Sequence, residues 1–100
     1  MEVVVDPLAL DELAEAAKWY SVQSFIAVEN FQREITEAFQ YLQSTIVEHR
    51  KVYGDIQVLF LKIFPYNIYY LKSEAKNKIL ILAIMHNKRD TEFIKSRLNY

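Results

Sequence analysis

The side chains able to carry chemistry in this 100-residue sequence are few and lie mostly in its second half. There is no cysteine, and His49 and His86 are the only histidines. Thiolate nucleophiles, disulfides and cysteine-ligated zinc are therefore excluded, and two histidines argue against a protein-only transition-metal site. The single glycine, Gly54, also excludes phosphate-binding loops of the G-x-G-x-x-G or Walker type, which need several glycines. We therefore expect neither a metal nor a nucleotide cofactor.

The remaining candidates suit metal-free cleavage of RNA. That reaction needs a base for the 2′-hydroxyl, positive charge near the phosphorus, and an acid for the leaving oxygen. The imidazole of His86 can take up or release a proton, and Arg89 offers a planar fork that matches a phosphate. Lys62 and Lys88 add positive charge, and Tyr70 could stack on a base or donate a hydrogen bond. The sequence predicts that these residues line one face, with His86 and Arg89 catalytic only if the protein is a ribonuclease.

Each of these residues also has a structural interpretation. His86 can end a strand and form hydrogen bonds with the core. This structural role is favoured because the sequence shows no evident second residue for acid–base catalysis. Arg89 can pair with an acidic neighbour such as Asp90 or Glu92. Lys62 lies inside an apolar stretch and can be an ordinary solvent-facing strand residue.

Charge is distributed unevenly along the chain. Excluding histidines, residues 1–49 sum to −7 and residues 50–100 to +6, for a total of −1. A near-neutral total argues against a nucleic-acid-binding protein, but the second half can present a local positive field. A further basic cluster of His49, Arg50 and Lys51 is either a contact surface for nucleic acid or another target, or a solvated loop.

The hydrophobic pattern predicts a strand over residues 3–5 followed by two helices. Asp6 is a good N-cap and Pro7 fits the first helical position, so the first helix runs to about residue 20. Ser21 or Ser24 can cap the second helix, whose apolar residues recur at spacings of three and four over 28–42. The short polar link between them predicts an antiparallel helical hairpin.

After residue 43 the pattern favours strands. We expect a connection over 44–55, strands over 56–64, 66–72 and 78–86, a hairpin turn over 73–77, and a final helical turn over 92–98. Phe93 and Ile94 are expected to dock that turn, and Phe64 to be buried against the helices. Residues 1–100 then form a single α+β domain, ordered β-α-α-β-β-β-(α), with helices on a mainly antiparallel sheet.

The sequence offers no membrane or export signal. Its N-terminus is acidic where a signal peptide is basic. The longest apolar run, over residues 79–85, is far shorter than the roughly 20 residues that span a bilayer. We expect a cytoplasmic domain that does not bind membranes.

Four segments together resemble the RelE/ParE superfamily of bacterial toxins, and in particular its ParE-like branch, often labelled plasmid stabilisation proteins. They are Asp6-Pro7 after a valine strand, Lys18-Trp19-Tyr20, residues 64–70 (Phe-Pro-Tyr-Asn-Ile-Tyr-Tyr) and residues 84–90 (Ile-Met-His-Asn-Lys-Arg-Asp). The resemblance implies two N-terminal helices packed on a curved antiparallel sheet. It also implies the toxin of a type II toxin–antitoxin pair, neutralised by a cognate antitoxin, with which it can form a hetero-oligomer.

The resemblance leaves two mechanisms of growth arrest open. ParE-like members inhibit DNA gyrase without being enzymes, whereas RelE-like members act as mRNA interferases that cut ribosome-bound messenger RNA. This chain is slightly acidic where the toxins are usually basic, and Gln57 stands where many relatives have an arginine. Both departures weaken the transfer of ribonuclease chemistry, so we expect gyrase inhibition, with messenger RNA cleavage and an inactive antitoxin-binding domain as alternatives.

Overall fold

A computed structural model describes residues 1–89 and 91–98 of the chain. Its elements are β1 Glu2–Val5, α1 Pro7–Gln23, α2 Phe25–Ser44, β2 Lys51–Tyr53, β3 Ile56–Phe60, β4 Tyr66–Ser73, β5 Lys78–His86 and a C-terminal 3₁₀ helix Thr91–Leu98. The predicted α+β class and element order are confirmed. Among the described residues, no helix is long and apolar enough to cross a membrane.

The strands form a single five-stranded sheet in the order β1-β5-β4-β3-β2. β1 is parallel to β5, and every other neighbouring pair is antiparallel, as the prediction of a mainly antiparallel sheet requires. β2 was not predicted, because the segment 44–55 reads as a connection. It is a three-residue edge strand with two exposed residues, too short to show an alternating pattern.

Local capping explains the tight helical hairpin. The Asp6 carboxylate accepts a hydrogen bond from the Leu8 amide at 2.9 Å, and Pro7 occupies the first turn of α1. Ser24 is the only residue between the helices, and it serves both. Its amide donates to the Tyr20 carbonyl at 3.0 Å, and its hydroxyl accepts from the Ala27 amide at 2.9 Å. Both helix ends are therefore satisfied by a one-residue link.

The sheet is buried on both faces by two separate cores. One face packs against the helices through residues that include Phe31, Ile35, Ile68 and Tyr70. The opposite face contains Ile56, Val58, Tyr69 and Leu82, and it is covered in part by Ile94 of the C-terminal 3₁₀ helix. Phe64, which we expected to be buried, is half-buried at the margin of the helix-facing core. Both cores depend on the apolar character of β4 and β5 on each of their faces.

A β-bulge in β5 interrupts its pairing with β4. Tyr70 pairs with Ile81 and Tyr69 with Ala83, so Leu82 is an extra residue without a partner on β4. The Arg97 guanidinium donates to the Leu82 carbonyl at 2.8 Å, and the Glu12 carboxylate accepts from the Ile84 amide at 3.0 Å. Neither side chain was a sequence-derived candidate, yet together they satisfy the backbone groups that the bulge exposes.

Candidate functional site

Two loops meet at one end of the sheet and hold most of the candidate residues. The loop 61–65 joins β3 to β4, and the turn 86–89 follows β5. The Asn87 amide donates to the Pro65 carbonyl at 2.9 Å, which fixes the two loops side by side. A cleft opens near each of them. The α1 cleft, of about 560 Å³, lies between α1 and the end of β5, and the α2 cleft, of about 350 Å³, lies between α2 and the end of β3.

His86 and Arg89 both line the α1 cleft. Glu15 and Trp19 of α1 face them across the cleft, and Tyr66 forms part of its wall. The His86 ring contacts the Tyr66 ring edge-on, with centroids 5.4 Å apart. This cleft therefore combines a carboxylate, an imidazole, a guanidinium and a phenol.

The hydrogen bonds of the turn fix the orientation of His86. Its Nδ1 accepts a hydrogen bond from the Lys88 amide at 3.2 Å, so the neutral ring carries its proton on Nε2. The Arg89 amide donates to the His86 carbonyl at 3.0 Å. The Arg89 guanidinium lies 5.5 Å from the centre of the Phe93 ring. Asp90, one predicted partner of Arg89, lies outside the described residues, and the other, Glu92, forms an ion pair with Lys95 at 3.3 Å.

An aromatic cluster supports the wall of the α1 cleft. The Tyr20 ring lies 4.8 Å from Phe64 and 5.1 Å from Phe31, and the Phe31 ring lies 5.5 Å from Tyr66. Burial raises the pKa of Tyr66, and burial together with Tyr66 raises the pKa of Tyr20. Both phenols therefore stay protonated at neutral pH and present hydrogen-bond donors.

Lys62 lines the α2 cleft, whereas His86 lines the α1 cleft. It was predicted inside a strand over residues 56–64, but β3 ends at Phe60. The cause is Glu34 of α2, whose carboxylate accepts the amides of Lys62, Ile63 and Phe64 at 2.8, 3.0 and 3.0 Å. These amides are therefore not available to a strand partner, and Lys62 projects from a loop.

The α2 cleft has charges of both signs on its rim. Lys62, Glu34 and Glu37 all line it, while Tyr41 and Phe60 supply apolar surface. The Arg50 guanidinium lies 5.9 Å from the centre of the Phe60 ring, so Arg50 flanks this cleft as well. Lys51 forms an exposed ion pair with Asp55 at 3.4 Å.

Tyr70 is fully buried, and the prediction that it lines an exposed face is wrong. Its position on β4 directs it into the helix-facing core beside Ile68. Its hydroxyl donates to the Gln57 side-chain oxygen at 2.9 Å and lies 2.5 Å from His49 Nδ1. Burial, followed by Glu48 and Tyr41, raises the pKa of Tyr70 to about 12. It can neither stack on a base nor bind a target from this position.

The contacts of Tyr70 also determine the tautomer of His49. The Gln57 side-chain atom that lies 2.7 Å from the His49 amide accepts a hydrogen bond from it, which identifies this atom as the amide oxygen. An oxygen cannot donate, so the Tyr70 hydroxyl must give its single proton to it. His49 Nδ1 therefore carries a proton, and Nε2 accepts from the Tyr41 hydroxyl at 3.3 Å. Burial and then Lys72 lower the pKa of His49, although Glu48 opposes them. His49, considered above only as part of a basic cluster, is an internal hydrogen-bonding residue.

The predicted site residues thus fall into separate groups. His86, Lys88 and Arg89 form one turn, Lys62 and Arg50 flank the α2 cleft, Lys51 lies on the β2 edge, and Tyr70 lies in the core. Within residues 1–89 and 91–98, no cluster of three or more acidic or histidine side chains could hold a metal ion. The contributions of Glu15, Trp19 and Tyr66 to the α1 cleft were not predicted, because only the fold brings α1 beside the end of β5.

Comparison with known proteins identifies the family. The fold resembles a structure described as the chromosomal ParDE TA system from P. aeruginosa, with a TM-score of 0.69, 21% identity, and coverage of 86% of this chain and 95% of that one. At this identity the likeness shows the fold alone. The curated proteins include no match. The family model of the ParE toxin of type II toxin–antitoxin system, parDE, matches residues 3–91, so the chain belongs to this toxin family.

Proposed function

We propose that this toxin arrests bacterial growth by binding DNA gyrase in the cytoplasm, and that a cognate antitoxin neutralises it. The observation that carries the proposal is the match to the parDE toxin family over residues 3–91. The resemblance to the ParE-like branch, with its implied gyrase inhibition, points in the same direction.

The separation of the ribonuclease candidates also favours a binding function. Tyr70 is buried, and Lys62 lines the α2 cleft whereas His86 lines the α1 cleft. Lys88 and Arg89 remain exposed in the turn after β5, where they are free to meet acidic side chains of a target. The proposed contact surface is therefore this turn, together with Lys62 on the neighbouring loop.

A supercoiling assay with purified gyrase tests the proposal. A charged contact is worth about 1.5–3 kcal/mol, so Arg89→Ala should raise the inhibitory concentration about tenfold or more. Lys76→Ala is the matched control, because Lys76 is an exposed residue of the turn between β4 and β5, at the other end of the sheet. Unimpaired supercoiling at toxin concentrations that stop growth would contradict the proposal.

The composition of the α1 cleft keeps messenger RNA cleavage as a second candidate. Glu15 and His86 both line this cleft and could serve as base and acid. As the acid, His86 would act as the imidazolium, pass its Nε2 proton to the leaving oxygen and return to the neutral ring whose Nδ1 accepts the Lys88 amide. Arg89 could stabilise the phosphorane, with the Tyr66 phenol as a further donor. New 5′ ends in cellular transcripts on expression of the toxin, absent with His86→Ala and Glu15→Gln, would favour this function over gyrase binding.

The antitoxin is the second proposed partner. Clefts flanked by helix and sheet suit a partner segment that docks as a helix or strand, and the basic residues of the turn after β5 favour an acidic segment. Co-expression of the neighbouring reading frame should restore growth and yield a stable complex. Continued growth arrest with both proteins present would refute neutralisation by that gene product.

A further inference from the structure

Apolar side chains are concentrated and exposed at the tip of the α1–α2 hairpin. Trp19 is 59% exposed, Val22 79%, Phe25 73% and Ile26 68%. These four residues, here called the hairpin-tip patch, fall within eight consecutive positions around the linking residue Ser24. Single exposed apolar residues are ordinary on protein surfaces, but a contiguous group of large ones marks an interaction site.

The fold itself does not require the hairpin-tip patch. Ser24 satisfies the backbone at both helix ends, so polar residues around it would preserve the hairpin. The helices are anchored to the sheet farther from the tip, through residues such as Ala16, Phe31 and Ile35. Trp19 contacts the neighbouring Tyr20 ring edge-on, at 5.0 Å between centroids, and the other three side chains are more exposed than Trp19.

We propose that the hairpin-tip patch joins two copies of this chain in a symmetric dimer. A two-fold axis at the tip would place the end of α1 of one copy opposite the start of α2 of the other. Lys18 lies beside the patch on α1 and Glu29 lies beside it on α2, and both side chains are exposed. Among the described residues neither forms an ion pair, so the same axis would pair them twice across the interface.

The available area fits a weak dimer. A large aromatic side chain buries about 150–250 Å² when fully covered, so the patch at its present exposure offers about 500 Å² per copy. Two copies would bury about 1,000 Å², which is near the lower limit for a specific interface. The flanking charges are of opposite sign, so the rim is neutral and favours a self-complementary contact over a strongly charged partner. We expect a reversible dimer with a dissociation constant in the micromolar range.

Sedimentation velocity of the purified chain over a concentration series tests the proposal. The monomer should convert to a dimer as concentration rises through the micromolar range. Phe25→Ser combined with Ile26→Ser should weaken dimerisation at least tenfold, and circular dichroism should confirm that this variant is folded. Ile46→Ser is the matched control, because Ile46 is 93% exposed and lies outside the patch. It should leave the dimerisation constant unchanged.

Charge exchange provides an independent test of the symmetry. Lys18→Glu alone should weaken the dimer, and adding Glu29→Lys should restore it. A chain that stays monomeric throughout the series would overturn the proposal, as would equal weakening by Ile46→Ser or no restoration by charge exchange. The proposal would also fail if the patch became protected only upon binding of an antitoxin while the toxin alone stayed monomeric.

Discussion

Removing Arg97 should destabilise the fold far more than removing an exposed cation from the same segment. Arg97 and Glu12 form an ion pair at 2.7 Å, with side-chain exposures of only 13% and 15%. Arg97→Met would leave the Glu12 carboxylate shielded from solvent, with the Ile84 amide as its remaining hydrogen-bond donor in this contact. It would also remove the donor that Arg97 supplies to the Leu82 carbonyl. Breaking a buried pair costs about 3–5 kcal/mol, and the residual exposure here favours the lower end of that range.

Urea unfolding monitored by circular dichroism measures this loss. About 3 kcal/mol is a large part of the roughly 5–15 kcal/mol that stabilises a domain, and it corresponds to a fall in Tm of at least about 12 °C. Lys95→Met is the matched control, because Lys95 forms an exposed ion pair with Glu92 on the same 3₁₀ helix. It should change the free energy of unfolding by about 0.5 kcal/mol or less.

Glu12→Gln should recover part of the loss in the Arg97→Met background, because no buried charge then remains. Equal losses in Arg97→Met and Lys95→Met would refute the reasoning.

Two further perturbations test the contacts that hold the loop 61–65 and the segment before β2. Glu34→Ala removes three hydrogen bonds and should lower the free energy of unfolding by about 2–3 kcal/mol. Amide exchange at residues 62–64 should accelerate, whereas Glu37→Ala should leave it unchanged. Because burial and Lys72 lower the pKa of His49 in the folded state, the unfolded state binds more protons as pH falls below about 6.5. The contribution of neutral His49 to the free energy of unfolding should therefore be fully present above that pH and be lost as the pH falls below it. In urea unfolding between about pH 8 and pH 5, His49→Gln should show a weaker dependence of this free energy on pH. An unchanged pH profile in that variant would contradict the role of His49.

Sequence reasoning succeeded where one local signal determined the structure. The Asp6-Pro7 pair starts α1, and the stripe of Phe31, Ile35, Ala38 and Leu42 faces the sheet, because capping and helical periodicity act within a few residues. Strand alternation acts over equally short distances and places Tyr69 and Tyr70 on opposite faces of β4. Tyr69 packs in one core and Tyr70 in the other.

The errors arose where a distant side chain changed the local outcome. No pattern near Lys62 indicates that a carboxylate 28 positions earlier ends its strand. Tyr70 appeared suitable for a binding surface because burial depends on the helices, and His49 looked like part of a basic cluster because its partners lie 8 and 21 residues away. Both residues satisfy hydrogen bonds inside the protein, which a list of nearby charges does not reveal.

The position of His86 illustrates how one extra residue determines the candidate site. Side chains alternate between the two faces of a strand, and Ile79 and Ile81 face the helices. Without a bulge, that alternation would direct residues 84 and 86 to the opposite face. The extra residue Leu82 shifts the phase, so Ile84 joins the helix-facing core and His86 lines the α1 cleft. Residues 79–85 are all apolar, so the sequence does not reveal the shift. The bulge is held by Glu12 and Arg97, and therefore the same ion pair that stabilises the C-terminal segment also positions His86 beside Arg89.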